Sequence, residues 1–137
     1  MIFVDSSVWI DYFNGKTTGQ TELLNVLLGR ELIVTGDLVV AEVLQGFKED
    51  RDFNKARDLL DTLICKEMLG KNLAVKSAEN YRLLRRKGVT TRKTIDVIIA
   101  TFCVQNRMVL LHNDRDFELM AKHLGLQTIT WMDPVRD

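Results

Sequence analysis

The chain is poor in the residues that several protein classes need. Its two cysteines, Cys65 and Cys103, lack CxxC spacing, which argues against both a zinc site and a disulfide framework. Cys103 falls in an apolar helical run and reads as a buried thiol. The two histidines, His112 and His123, form no metal-ligand pair. One proline and no low-complexity stretch leave nothing that reads as a linker, so the 137 residues are expected to form one domain, 1–137. No apolar segment approaches the roughly 20 residues of a membrane span. The N-terminus has no basic region followed by a long apolar run, so a cytoplasmic protein with no membrane partner is expected. There is also no excess of charge, with 19 basic against 19 acidic residues. A surface coated in positive charge is thereby excluded.

What is present is a core and a pattern. Hydrophobic residues make up 46% of the chain and charged residues 28%, the balance of a soluble globule. Short apolar runs read as strands at 2–4, 32–34, 109–111 and 127–130, with a weaker one at 66–69. Helices are expected from Ser7 to a stop at Asn14-Gly15, over 21–28, from a cap at Asp37 toward Gln45, and over 52–63, 74–87, 94–105 and 115–124. Strands alternating with helices imply an α/β fold with a parallel sheet covered on both faces. In such sheets ligands bind beyond the carboxyl ends of the strands.

Four acids are placed to meet at that edge. Asp5 ends the apolar run Met1–Val4, and Asp114 follows Val109–Leu111. Glu42 lies about two turns into the helix after the second strand. Asp96 sits in the first turn of an almost wholly apolar helix. A carboxylate among aliphatics is costly unless paired, and here the nearest candidates are other carboxylates. Clustered acids repel by about 4 kcal/mol per pair at 4 Å and an effective dielectric near 20. A divalent cation removes that penalty. The set therefore reads as a Mg²⁺ or Mn²⁺ site, for which phosphodiester hydrolysis is the natural chemistry.

The basic residues are unevenly spread. Arg82, Arg85, Arg86, Lys87, Arg92 and Lys93 form a block without an acid that runs up to Asp96. Arg82, Arg85 and Arg86 share one helix face. Such a face is either solvated or a track for phosphates, which would position RNA without reading its sequence.

The segments Met1–Ile10, Ala41–Val43, Thr94–Ala100 and Leu110–Phe117, in that order and spacing, resemble the PIN-domain nucleases. Within these they resemble the VapC toxins of toxin–antitoxin pairs. The resemblance implies a PIN-like three-layer α/β/α sandwich with a short, mostly parallel central sheet. It implies a Mg²⁺-dependent endoribonuclease, with Mn²⁺ as an alternative ion, acting as a toxin on RNA, tRNA or another structured RNA included. It further implies a cognate antitoxin and a homodimer. Asp5, Glu42, Asp96 and Asp114 match the family's acidic quartet, with Asp5, Asp96 and Asp114 as metal ligands. Asp116 matches a further metal-site acid. Ser6 and His112 are expected at the scissile phosphate, and Arg85, Arg86, Arg92 and Lys93 along the RNA. His112 is a departure, since many members carry Ser or Thr two residues before the last acid. Trp9, Phe13 and Leu23 exceed what one small core obviously needs and are expected to serve pairing.

The alternative reading is an inactive PIN-like module that binds RNA or a partner without cutting. A phospho-acceptor receiver domain would need paired acids after strand one and a lysine after the last strand. Asp5 is instead followed by Ser6-Ser7, and no lysine follows Gln127–Trp131.

Overall fold

The computed structural model describes residues 1–30 and 32–129. Five strands form one sheet, β1 (Ile2–Val4), β2 (Ile33–Gly36), β3 (Ile64–Lys66), β4 (Val109–Leu111) and β5 (Thr128–Ile129). Their spatial order is β3-β2-β1-β4-β5, and every neighbouring pair runs parallel. A mostly parallel sheet was expected, and among the described residues it is wholly so. The helices are α1 (Ser6–Phe13), α2 (Gly19–Leu27), α3 (Asp37–Leu44), α4 (Asp50–Asp61), α5 (Lys71–Arg86), α6 (Thr94–Gln105) and α7 (Arg115–Leu124). They complete a PIN-like α/β/α sandwich.

Most differences from the expected elements lie at helix starts. Thr18 and Thr21 form a reciprocal capping box, so α2 begins at Gly19 rather than Thr21. Gly36, not Asp37, is the N-cap of α3; Asp37 instead accepts the Leu38 and Met68 amides through Oδ1. Helix α5 begins at Lys71, three residues early, because Gly70 at φ 145° supplies the break. The weak third strand lies at 64–66 rather than 66–69. It is an exposed edge strand, so its apolar pattern carried little signal. Strand β5 spans Thr128–Ile129, and Thr130 lies outside the described residues.

Helix α6 is buried along Asp96–Val97 and Ile99–Cys103, as its apolar composition predicts. Each large aliphatic or aromatic side chain so buried contributes about 1.5–3 kcal/mol. One polar link fixes α6 against α5. Asn80 Nδ2 donates to Thr101 Oγ1 at 2.9 Å, and that hydroxyl donates to the Val97 carbonyl at 2.7 Å. The residues expected to be surplus to the core are used in it. Trp9 is fully buried, stacked on Phe13 at 5.7 Å, and Leu23 packs against the same cluster. Trp9 is thereby withdrawn from any pairing surface, whereas Phe13 and Leu23 are only partly buried.

The topology brings separate acids to one edge. β1 is the central strand, flanked by β2 and β4. The chain leaves the carboxyl ends of these three strands into α1, α3 and α7.

Candidate active site

Two of the acids cap helices. Asp5 is the N-cap of α1, and its Oδ2 accepts the Ser7 amide at 3.0 Å and the Ser7 hydroxyl at 2.6 Å. Its Oδ1 is buried with no hydrogen-bond partner among the described residues. Asp114 is the N-cap of α7, and its Oδ1 accepts the Asp116 amide at 2.9 Å. Capping is compatible with metal ligation at both residues, because each cap bond engages one oxygen and leaves the other.

Asp96, Asp114 and Asp116 each offer a carboxylate oxygen lying within 4.8 Å of the other two. Asp5, Asp114 and Glu42 all act on Asp96 electrostatically. Its carboxyl is raised to about 7, first by burial and then by the charges of Asp5 and Asp114; Lys93 opposes the shift and Glu42 adds to it. Asp5 is raised by burial, against the bonds from Ser7. Glu42 is raised by burial and by Asp5, against the Ser6 bond and the charge of Lys93. Ser6 Oγ donates to Glu42 Oε1 at 3.0 Å, so the Ser6 hydroxyl is engaged within the site.

The arrangement fits a hard divalent cation. The donors are all carboxylate oxygens, the type that Mg²⁺ and Mn²⁺ prefer. A buried oxygen without a partner, on Asp5, lies within electrostatic reach of Asp96 and Glu42, whose carboxyls are raised first by burial and then by neighbouring acids. The starts of α1, α6 and α7 add their positive dipole ends to the same region, which favours anionic groups there.

The other expected residues are placed less uniformly. Lys93 is near enough for its charge to act on Asp96 and Glu42. Arg92 is exposed beside it. Arg85 and Arg86 are exposed in the last turn of α5, with the Arg85 guanidinium 5.9 Å from the Tyr81 ring centre. Among the described residues none of these basic side chains forms an ion pair with an acid. His112 is buried, and its Nδ1 accepts the Asp114 amide at 3.1 Å. Its Nε2 lies 3.4 Å from Glu118 Oε1. Burial lowers its pKa, partly offset by Glu118. A cleft of about 280 Å³ opens beside Asp114, with Gln20, Asn113, Arg115 and Glu118 in its walls.

Residues 2–123 match the PIN domain family. The chain belongs to that family. This PIN domain is 29% identical to Ribonuclease VapC11 of Mycobacterium tuberculosis, the match covering 96% of this chain and 99% of the relative. The same figures hold for VapC ribonuclease Mb1587 of Mycobacterium bovis. In fold it is similar to the crystal structure of VapBC2 from Rickettsia felis bound to a promoter DNA fragment. That match has a TM-score of 0.76 at 20% identity, covering 96% of this chain and all of the other. DNA-bound VapBC from Salmonella typhimurium matches with a TM-score of 0.75 at 19% identity, over 96% and 98% of the two chains.

Sequence reasoning missed Ser7 and Asn113 as parts of this PIN domain's site. Ser7 Oγ, besides donating to Asp5, accepts the Asn113 amide at 3.2 Å. Asn113 Nδ2 in turn donates to Asp11 Oδ2 at 3.2 Å. The available signal was the Asp-x-Ser spacing at a helix start, which puts the serine hydroxyl back toward its cap.

Proposed function

We propose that the protein is a Mg²⁺- or Mn²⁺-dependent endoribonuclease and the toxin component of a toxin–antitoxin pair. The observation that carries this is the grouping of Asp96, Asp114 and Asp116 with Asp5 and Glu42 at the carboxyl edge of a PIN sheet. A binding module has no need to hold repelling carboxylates together. The VapC ribonucleases that this chain resembles over nearly its full length support RNA as substrate. The VapBC complexes among its structural relatives support a cognate antitoxin.

Asp5, Asp96 and Asp114 would hold the cation, with Asp116 beside them. When bound, that ion supplies an activated water and neutralises charge developing on the phosphate. Glu42, which accepts from Ser6, would help to hold the ion or orient the attacking water. Lys93 and Arg92 attract the RNA backbone to the acidic edge, and Arg85 and Arg86 extend the basic track along α5. Hydrolysis by water leaves a 5′-phosphate and a 3′-hydroxyl. The protein acts in the cytoplasm and pairs as a homodimer, which sedimentation at tens of micromolar tests.

The deciding experiment is cleavage of total RNA with and without EDTA, with mapping of the ends. Cleavage that needs Mg²⁺ or Mn²⁺ and leaves 5′-phosphates is expected. Undiminished cleavage in EDTA rules out the mechanism, and RNA binding without cleavage at any metal concentration identifies an inactive module.

A further inference from the structure

We infer that His112 is a positioning residue for Asp114, acting through Nδ1 on the backbone rather than on the RNA phosphate. The inference rests on the metal-site reading above and extends it to a residue in which this chain departs from the pattern it resembles.

Two amides of the loop between β4 and α7 have side-chain acceptors. The Asn113 N–H goes to Ser7 Oγ at 3.2 Å and the Asp114 N–H to His112 Nδ1 at 3.1 Å. Asp114 Oδ1 takes the Asp116 N–H at 2.9 Å, and the Asp114 carbonyl takes the Phe117 N–H at 3.1 Å. Asp114 is therefore gripped at its amide, its carbonyl and one carboxylate oxygen. Only the second carboxylate oxygen is left to turn toward Asp96 and Asp116. A ligand fixed in this way loses little freedom when a cation binds, which is how residues behind a metal site raise its affinity.

The imidazole is itself held in the orientation this requires. It is buried, and its ring lies 5.1 Å from the Phe117 ring at an interplanar angle of 49°. Because Nδ1 accepts a backbone N–H, the proton of the neutral ring sits on Nε2. That N–H faces the Glu118 carboxylate at 3.4 Å. The carboxylate also accepts from the Thr128 hydroxyl, at 3.2 Å to Oε2, which ties the ring's surroundings to β5. Although the ring lines the cleft beside Asp114, Nδ1 is taken by the Asp114 amide and the Nε2 atom is buried. A serine or threonine at this position has a shorter reach. The histidine spans the turn and supplies an acceptor to the residue two places on.

Two isosteric changes separate the ring's ends. Asn carries an oxygen acceptor where Nδ1 stood, and Gln carries its amide where Nε2 stood. Mn²⁺ affinity is measured by the electron spin resonance of free Mn²⁺, without RNA, and melting temperatures are recorded alongside. His112→Asn should stay within about threefold of the parent, whereas His112→Gln should bind about tenfold more weakly, the low end of the range for residues behind metal ligands. In the parent, the imidazole ¹⁵N shifts should show an unprotonated Nδ1 and a protonated Nε2 above neutral pH. Equal affinities for the two variants, a weaker Asn than Gln variant, or a proton on Nδ1 overturns the inference while leaving the nuclease reading intact. A parent that binds no Mn²⁺ and cuts no RNA overturns that reading, and the inference with it.

Discussion

Ser7 Oγ lies 2.6 Å from Asp5 Oδ2, and the same hydroxyl receives the Asn113 amide. One short side chain thus joins the acid after β1 to the loop after β4, across more than a hundred residues of sequence. The bond to Asp5 is to a charged group and so belongs to the stronger class, about 1.5–3 kcal/mol. It also opposes the burial that raises the Asp5 carboxyl.

Ser7→Ala removes both bonds at once. The metal-free variant should be less stable by about 2 kcal/mol, and Mn²⁺ should bind more weakly because Asp5 and the Asp114 loop are no longer braced. Urea melts and Mn²⁺ titration measure the two effects. A variant equal to the parent in both would show that the Ser7 contacts contribute nothing beyond what water replaces.

Asp96→Asn keeps the shape of the residue and discards its charge. Cleavage should collapse, because a principal ligand is lost. Without metal, stability should hold level or rise by about 1 kcal/mol, since sites shaped for function trade stability for activity. Mg²⁺ should raise the melting temperature of the parent more than that of the variant. A variant that melts lower without metal yet still cuts RNA would remove Asp96 from the site.

The pH dependence follows from the same carboxyl. Asp96 holds its proton up to about 7 in the folded chain, against an ordinary 3.8. Between those values the folded state binds more protons than the unfolded one. On account of Asp96, stability without metal is therefore greatest below about pH 4, falls as pH rises toward 7, and is flat above. The parent should lose melting temperature relative to Asp96→Asn across that window, and the gap should stop widening beyond it. Cations compete with the same protons, so Mn²⁺ affinity should rise through pH 7. A gap that does not change with pH counts against the buried, repelled carboxyl.

Arg92→Ala and Lys93→Ala should weaken RNA binding and flatten its dependence on salt. Each lost phosphate contact changes the slope of log K against log salt by about 0.7 on a single strand. Lys93→Ala should have a second effect that Arg92→Ala need not share. It should raise the Asp96 and Glu42 carboxyls further, because the Lys93 charge now holds both down. Unchanged salt slopes would assign both residues to the solvated surface.

Much of the fold was legible because its signals are local. Three residues of apolar strand before Asp5 and again before Asp114, and the apolar length of α6, needed no tertiary information. The meeting of the acids was expected from the rule that ligands gather at the carboxyl edge of a parallel sheet, whereas the strand order, with β1 at the centre, was not read from the sequence. Features decided by single atoms were not legible. Nothing in the spacing said that Asp5 and Asp114 would divide their oxygens between a cap and the site. The place of the edge strand β3 was weakly marked because all its side chains are exposed. Trp9 could be read as core or as surplus, because its burial is decided by the packing of α1 on α2 and α3, which sequence spacing does not show. His112 could be seen as unusual, but its two partners lie on backbone and on α7, where only geometry shows them.

The central place of β1 has a consequence in time. Its partner β4 and the acids Asp114 and Asp116 are made late, with Asp114 following Asp5 by 109 residues (114 less 5). At the usual rate of about 5–20 residues per second, roughly five to twenty seconds separate the first ligand from the last. Through that interval β1 has one open side, and α6 has no α7 to cover it. On the nuclease reading, the growing chain would lack part of its site, and a chain broken off before β4 would never gain Asp114 and Asp116. The acidic edge is thus complete only when β4 has closed against β1, after the segments carrying Asp5, Glu42, Asp96 and the basic block are already exposed to a partner that could bind them.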